Sequence, residues 1–82
     1  MDIRILLLGD LGARFGREHT LAFTEGLTVG ELRRRLIEGI EGSEVALSGP
    51  AIRLAVDQVV VSEAAPVRPG QEVAVLPIFS GG

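Results

Sequence analysis

Cysteine, lysine, tryptophan and tyrosine are all missing from this chain, and histidine occurs once, as His19. Without cysteine there is no disulfide and no thiol nucleophile, and one imidazole cannot build a Cys/His metal site. Because lysine is missing, all eight basic residues are arginine. No side-chain amine can therefore accept an acyl group; only the N-terminal amine could. Positive charge is scarce too, and a net charge of −3 argues against a nucleic-acid partner, which would call for a basic face. Long apolar runs are also lacking. Ile5–Leu8 is too short for a signal h-region and has no small-residue cleavage pattern, and nothing reaches the length of a membrane span. A cytoplasmic protein with no membrane partner is expected. Ser48, Ser62 and Ser80 lack a G-x-S-x-G context, His19 has no nucleophile beside it, and there is no Walker phosphate loop. Neither hydrolytic catalysis nor ATP binding is expected in this chain.

What is present is ample apolar material, 46% of 82 residues, enough for one small domain over residues 1–82. Asp2–Leu8 alternates loosely with five apolar residues and reads as a central strand buried on most of both faces. Gly9–Gly16 carries three glycines and reads as a hairpin loop. Thr20–Thr24 follows as a strand with Leu21 and Phe23 inward, antiparallel to the first. Thr28 and Glu31 form a capping box and Leu27 and Leu32 a hydrophobic staple, opening a helix with Val29, Leu32, Leu36, Ile37 and Ile40 on one stripe. Arg33, Arg34 and Arg35 read as a solvated face, and Gly42 as a C-cap. Ser43–Pro50 is expected to be irregular or a short helical turn. Ile52–Val56 and Val59–Val61 are strands joined by a tight turn at Asp57-Gln58, and Pro69-Gly70 suits a type II turn before a last strand, Glu72–Leu76. Pairing should stop near Pro77, which has no N–H to donate. This order implies an α+β domain, a mixed sheet with one main helix on one face and the first and last strands side by side at its centre.

Residues 77–82, Pro77-Ile78-Phe79-Ser80-Gly81-Gly82, then read as a tail. Two glycines without Cβ atoms are expected to be mobile and exposed, thin enough to enter a slot that excludes side chains. The α-carboxyl of Gly82 is their last group.

The stretch Leu54-Ala55-Val56-Asp57-Gln58, then Val61-Ser62, Ala65-Pro66-Val67, Pro69-Gly70-Gln71-Glu72-Val73-Ala74 and the tail, at their joint spacing, resembles the MoaD family. These are the small subunits of molybdopterin synthase, with a ubiquitin-like β-grasp fold. Four places depart from the family pattern. Asp57 stands for the usual Asn, Pro69-Gly70-Gln71 for Asp-Gly-Asp, Ile78 for a second proline, and Leu76 for a residue that is aromatic in some members. The resemblance implies a sulfur carrier in molybdenum cofactor biosynthesis. A MoeB-like activating enzyme adenylates the Gly82 carboxylate with ATP, and a persulfide donor converts it to a thiocarboxylate. A MoaE-like large subunit, which holds the catalytic residues, then passes the sulfur to a pterin precursor. The carrier itself binds no cofactor and no metal. In this scheme Gly82 reacts, Gly81 and Ser80 present it, and Leu76, Pro77, Ile78 and Phe79 touch the partner. The alternatives are a ThiS-like carrier, a carrier for cysteine synthesis or tRNA thiolation, and a ubiquitin-like protein modifier. ThiS-like chains are shorter between helix and third strand, so Ser43–Pro50 favours the molybdopterin member.

Overall fold

Strand β1 (Asp2–Leu7) puts Ile3, Ile5 and Leu7 entirely out of solvent, while Asp2 and Arg4 stay exposed and Leu6 half-buried. The strand is therefore central, as its composition suggests, but buried on one face only. The computed structural model describes residues 1–78. Within them, β2 (Glu18–Ala22), β3 (Ile52–Val56), β4 (Val59–Val61) and β5 (Glu72–Pro77) complete a five-stranded sheet in the order β2-β1-β5-β3-β4. β1 and β5 are parallel, with Arg4 opposite Glu72 and Leu7 opposite Val75; the other pairings are antiparallel. The last strand thus lies between the first and the third. Leu54, Val56, Val73 and Val75 add to the inward face, and Ile3 to Val75 form one continuous core with the helices.

Helix α2 (Val29–Gly39) covers that face with Val29, Leu32 and Leu36, while Ile37 and Ile40 pack half-buried beside them. Thr28 caps it: its Oγ1 accepts from the Glu31 N–H at 3.2 Å. The other half of the expected capping box is replaced. The Glu31 carboxylate accepts from Arg34 Nε at 2.9 Å and Nη2 at 2.6 Å, and a bidentate guanidinium outcompetes a neutral backbone donor. This pairing holds the Glu31 carboxyl below its ordinary value. The helix ends at Gly39 with Ile40 as its extended cap, so Gly42 (φ 80°) lies beyond the C-cap position expected of it. Nor do the three arginines form one solvated face. Arg34 is exposed, whereas Arg33 is only 16% exposed and pairs with Glu63 at 2.9 Å, and Arg35 reaches the Ala22 carbonyl and Thr24 Oγ1.

Two connecting segments contain helix, one where a loop was expected and one where a short helical turn was among the expectations. α1 (Asp10–Phe15) fills the supposed hairpin loop, and its Leu11 is buried in the core. The glycines that suggested a loop mark its ends: Gly9 and Gly16 have φ of 58° and 94°. Gly12, between them, is there for space, since a Cβ would stand 2.5 Å from the Leu7 carbonyl oxygen. α3 (Glu44–Ser48) occupies Ser43–Pro50 and buries Leu47. The second strand begins and ends two residues earlier than expected, and Phe23 follows it half-buried, its N–H bonded to the Met1 carbonyl. Asp57 and Gln58, both at positive φ, make the tight turn between β3 and β4. The Asp57 carboxylate accepts from the Glu72 N–H at 3.0 Å and Gln71 Nε2 at 3.1 Å, fixing this turn to the start of β5.

Candidate functional site

Residues on β5 alternate between two environments. Val73 and Val75 enter the core, while Glu72, Ala74 and Leu76 point to the face that no helix covers. Neighbouring strands add to this open face in register: Leu6 beside Ala74, Ala55 on the other side of Ala74, Val60 beyond Ala55, and Arg53 beside Leu76. Leu6, Ala74 and Leu76 are half-buried and Val60 is 51% exposed, while Ala55 between them is buried, so aliphatic groups meet solvent on β1, β5 and β4. A sheet face left to solvent is usually polar; this one is apolar at its centre.

At its end β5 keeps contact with β3 longer than expected. Pro77 is the last strand residue, opposite Ile52, and the Ile78 N–H donates to the Ala51 carbonyl at 2.7 Å. Proline does end the pairing on the other side: the Leu8 N–H bonds to the Val75 carbonyl, and Pro77 has no N–H to make the next bond of that parallel ladder. The chain therefore leaves the sheet at Ile78, which is 39% exposed. Of the partner-contact residues expected from the sequence, Leu76 lies on the open face, Pro77 is half-buried at the strand's end, and Ile78 stands at the exit. Phe79, Ser80, Gly81 and Gly82 lie outside the described residues.

Charge on the open face is divided along the strands. Away from the exit, Arg4 lies between Glu18 at 3.0 Å and Glu72 at 3.3 Å, with Asp2 next on β1. The hydrogen bond to Glu18 raises the Arg4 pKa further. At the exit end stands Arg53, exposed, with no ion pair among the described residues. Its Nη1 donates to the Pro50 and Ile52 carbonyls, which lays the guanidinium along the segment that Ile78 also bonds. Sequence reading passed over Leu6, Ala55, Ala74, Val60 and Arg53. The signal available was the parity of β1, β3 and β5, which cannot all turn their apolar residues inward.

His19 Nε2 donates to the carbonyls of Phe15 and Gly16, at 2.9 and 3.1 Å, and closes the α1–β2 connection. A cleft of about 260 Å³ at the β4 edge adjoins the open face: aliphatic side chains line it together with Arg53, Ser62 and the paired Arg33 and Glu63. No group of metal-ligating side chains occurs among the described residues, and no helix there is long and apolar enough to cross a membrane.

A five-stranded mixed sheet gripping one main helix, with its last strand central and leading to the chain's end, is the ubiquitin-like β-grasp fold of sulfur carriers and protein modifiers. The chain belongs to the ThiS family, whose model matches residues 5–82. Among solved structures it resembles SAMP1 from Haloferax volcanii, with a TM-score of 0.86 and 21% identity over 100% of both chains. A putative molybdopterin converting factor, subunit 1, from Pyrococcus furiosus superposes with a TM-score of 0.81 at 18% identity, covering 96% of this chain and 99% of that one. The BexX/CysO complex of Amycolatopsis orientalis contains a chain with a TM-score of 0.71 at 21% identity, over 98% of this chain and 99% of that one. No curated protein matches the sequence. At these identities the structural likeness is one of fold.

Proposed function

We propose that this protein carries sulfur on the carboxyl group of Gly82 for molybdopterin synthesis. The observation that carries the reading is the bare apolar sheet face leading to the point where the chain leaves the domain, within a family match that includes the diglycine. In the proposed cycle the Gly82 carboxylate attacks the α-phosphorus of ATP on an adenylating enzyme, and pyrophosphate leaves. A persulfide sulfur then attacks the acyl carbon and expels AMP. A second thiol cleaves the resulting S–S bond, releasing the thiocarboxylate and a disulfide of the donor. Docked in a synthase large subunit, the thiocarboxylate sulfur bonds to the pterin precursor, and water then cleaves the acyl–sulfur bond, leaving sulfur on the precursor and a carboxylate on Gly82. The carrier's own work is presentation. It supplies a thin arm, Ser80-Gly81-Gly82, and a docking surface of Leu76, Pro77, Ile78 and Phe79 joined to Leu6 and Ala74.

The pathway is supported by the motif spacing through residues 54–82, by α3 between helix and third strand, and by the likeness to molybdopterin converting factor subunits, including one from Helicobacter pylori in complex with subunit 2. The likeness to SAMP1 favours a second reading, a protein modifier, which uses the same activated carboxylate. Incubation with ATP, the adenylating enzyme and a persulfide donor should exchange one Gly82 oxygen for sulfur, seen by intact-protein and fragment mass spectrometry. Deleting Gly82 shifts the carboxylate by ~3.3–3.6 Å, against the ~1 Å displacement that already costs about a hundredfold in rate. The shortened protein should fold and fail to charge. Charging at the parent rate would refute the assignment, and delivery of the charge to protein lysines rather than to a pterin precursor would select the modifier reading.

A further inference from the structure

The open face is apolar in the middle but electrically unequal at its two ends, and the inequality sits where a partner must choose an orientation. At the far end Arg4 is already held by Glu18 and Glu72, and Asp2 adds a further carboxylate on the same face of β1. On this part of the face three carboxylates surround the single guanidinium of Arg4. Among the described residues the one charge at the exit end of this face is Arg53, opposite Leu76 in register and exposed. Its position is set in advance, because Nη1 is tied to the carbonyls of Pro50 and Ile52 while no carboxylate among the described residues takes the remaining donors. A guanidinium so oriented loses little freedom on meeting a carboxylate and can offer it a paired donor edge. Arg34, by contrast, already has Glu31 and Glu38 as partners, and Arg33 has Glu63.

From this we infer that Arg53 selects and orients the partner: it pairs with an acidic side chain on the partner's surface, beside the mouth of the channel that receives the tail. The inference rests on the carrier reading above and specifies the chemistry of the docking partner. The complementary surface is apolar at its centre, acidic beside the channel mouth and neutral or basic at its far side. A partner turned end for end would set its acidic group against Glu18 and Glu72 and its far side against Arg53. The charges reject that arrangement, which would also aim the tail away from the channel. Apolar contact alone cannot make this distinction, since it has no direction.

The test compares wild type, Arg53→Glu and Arg53→Lys with Arg68→Glu, which makes the same charge change on the turn before β5, away from the exit. Each is mixed with the synthase large subunit, and separately with the adenylating enzyme, while association rates are followed across salt concentrations. Circular dichroism and urea unfolding establish that each variant is folded. Arg53→Glu should slow association with at least one partner by about tenfold or more at low salt, with the gap closing as salt screens it. Arg53→Lys should fall between Arg53→Glu and wild type, and Arg68→Glu should match wild type. Replacing the partner's matching carboxylate by arginine should restore binding to Arg53→Glu. If wild type binds and Arg53→Glu associates within about twofold of it, or if Arg68→Glu is slowed as much, the inference is wrong and the carrier reading stands. If folded wild type binds neither partner, the carrier reading fails and the inference with it.

Discussion

Glycines 12 and 39 have the same side chain and opposite tolerances. A Cβ on Gly12 would stand 2.5 Å from the Leu7 carbonyl oxygen and 2.9 Å from Arg17 Cγ, and the backbone contact cannot swing away. Gly12→Ala should therefore cost ~1–3 kcal/mol as α1 is pushed off β1. Gly39 has nothing within 4 Å, so Gly39→Ala should raise stability by up to ~0.4–1 kcal/mol through the unfolded chain. Urea unfolding of the two variants beside wild type measures both signs. Glu31 makes a different residue-scale prediction. Its carboxyl titrates below 4.5 in the folded protein, chiefly through its hydrogen bonds to Arg34. The folded state thus binds this proton less tightly than the unfolded chain does. The resulting stabilisation is complete above pH 4.5 and disappears as pH falls through the lower folded value. The urea midpoints of wild type and Glu31→Gln should differ at neutral pH and converge in that acidic window. A gap that stays constant down the titration would mean the ion pair is not its source.

Elements with strong periodic patterns were legible, and α2 most of all. Its cap, its staple and its buried stripe all follow from residues within one segment, and Thr28→Ala should lower stability by ~1 kcal/mol in urea unfolding because the Glu31 N–H loses its acceptor. β3, the Asp57-Gln58 turn and β4 were equally plain, being alternation and turn chemistry between near neighbours. What escaped depended on distant contacts. Nothing within Gly9–Gly16 shows that Gly12 meets the Leu7 carbonyl or that Leu11 reaches the core, so three glycines looked like a loop. Arg33 looked solvated because its partner, Glu63, comes from beyond β4. The candidate site divides in the same way. Leu76, Pro77 and Ile78 could be picked from their place before the diglycine, whereas Arg53 and Leu6 join them only through cross-strand register.

At the scale of the molecule, the sheet order sets where function and folding meet. The apolar face, Arg53 and the exit at Ile78 are brought together because β5 enters between β1 and β3. The same insertion ties the protein's production to its competence. Until β5 is available, β1 with β2 and β3 with β4 are two hairpins with no strand between them, and a lone hairpin is at best marginally stable. A chain emerging from synthesis gains its central strand last, and the Arg4–Glu72 pairing closes a loop over most of its length. A chain ending at residue 71 should remain unfolded by circular dichroism and amide exchange, whereas one ending at residue 78 should fold. A fragment cut short within β5 should therefore lack both the open sheet face and the exit at Ile78. The position of the last strand acts as an inspection step, since only chains translated through β5 can form the face and its exit.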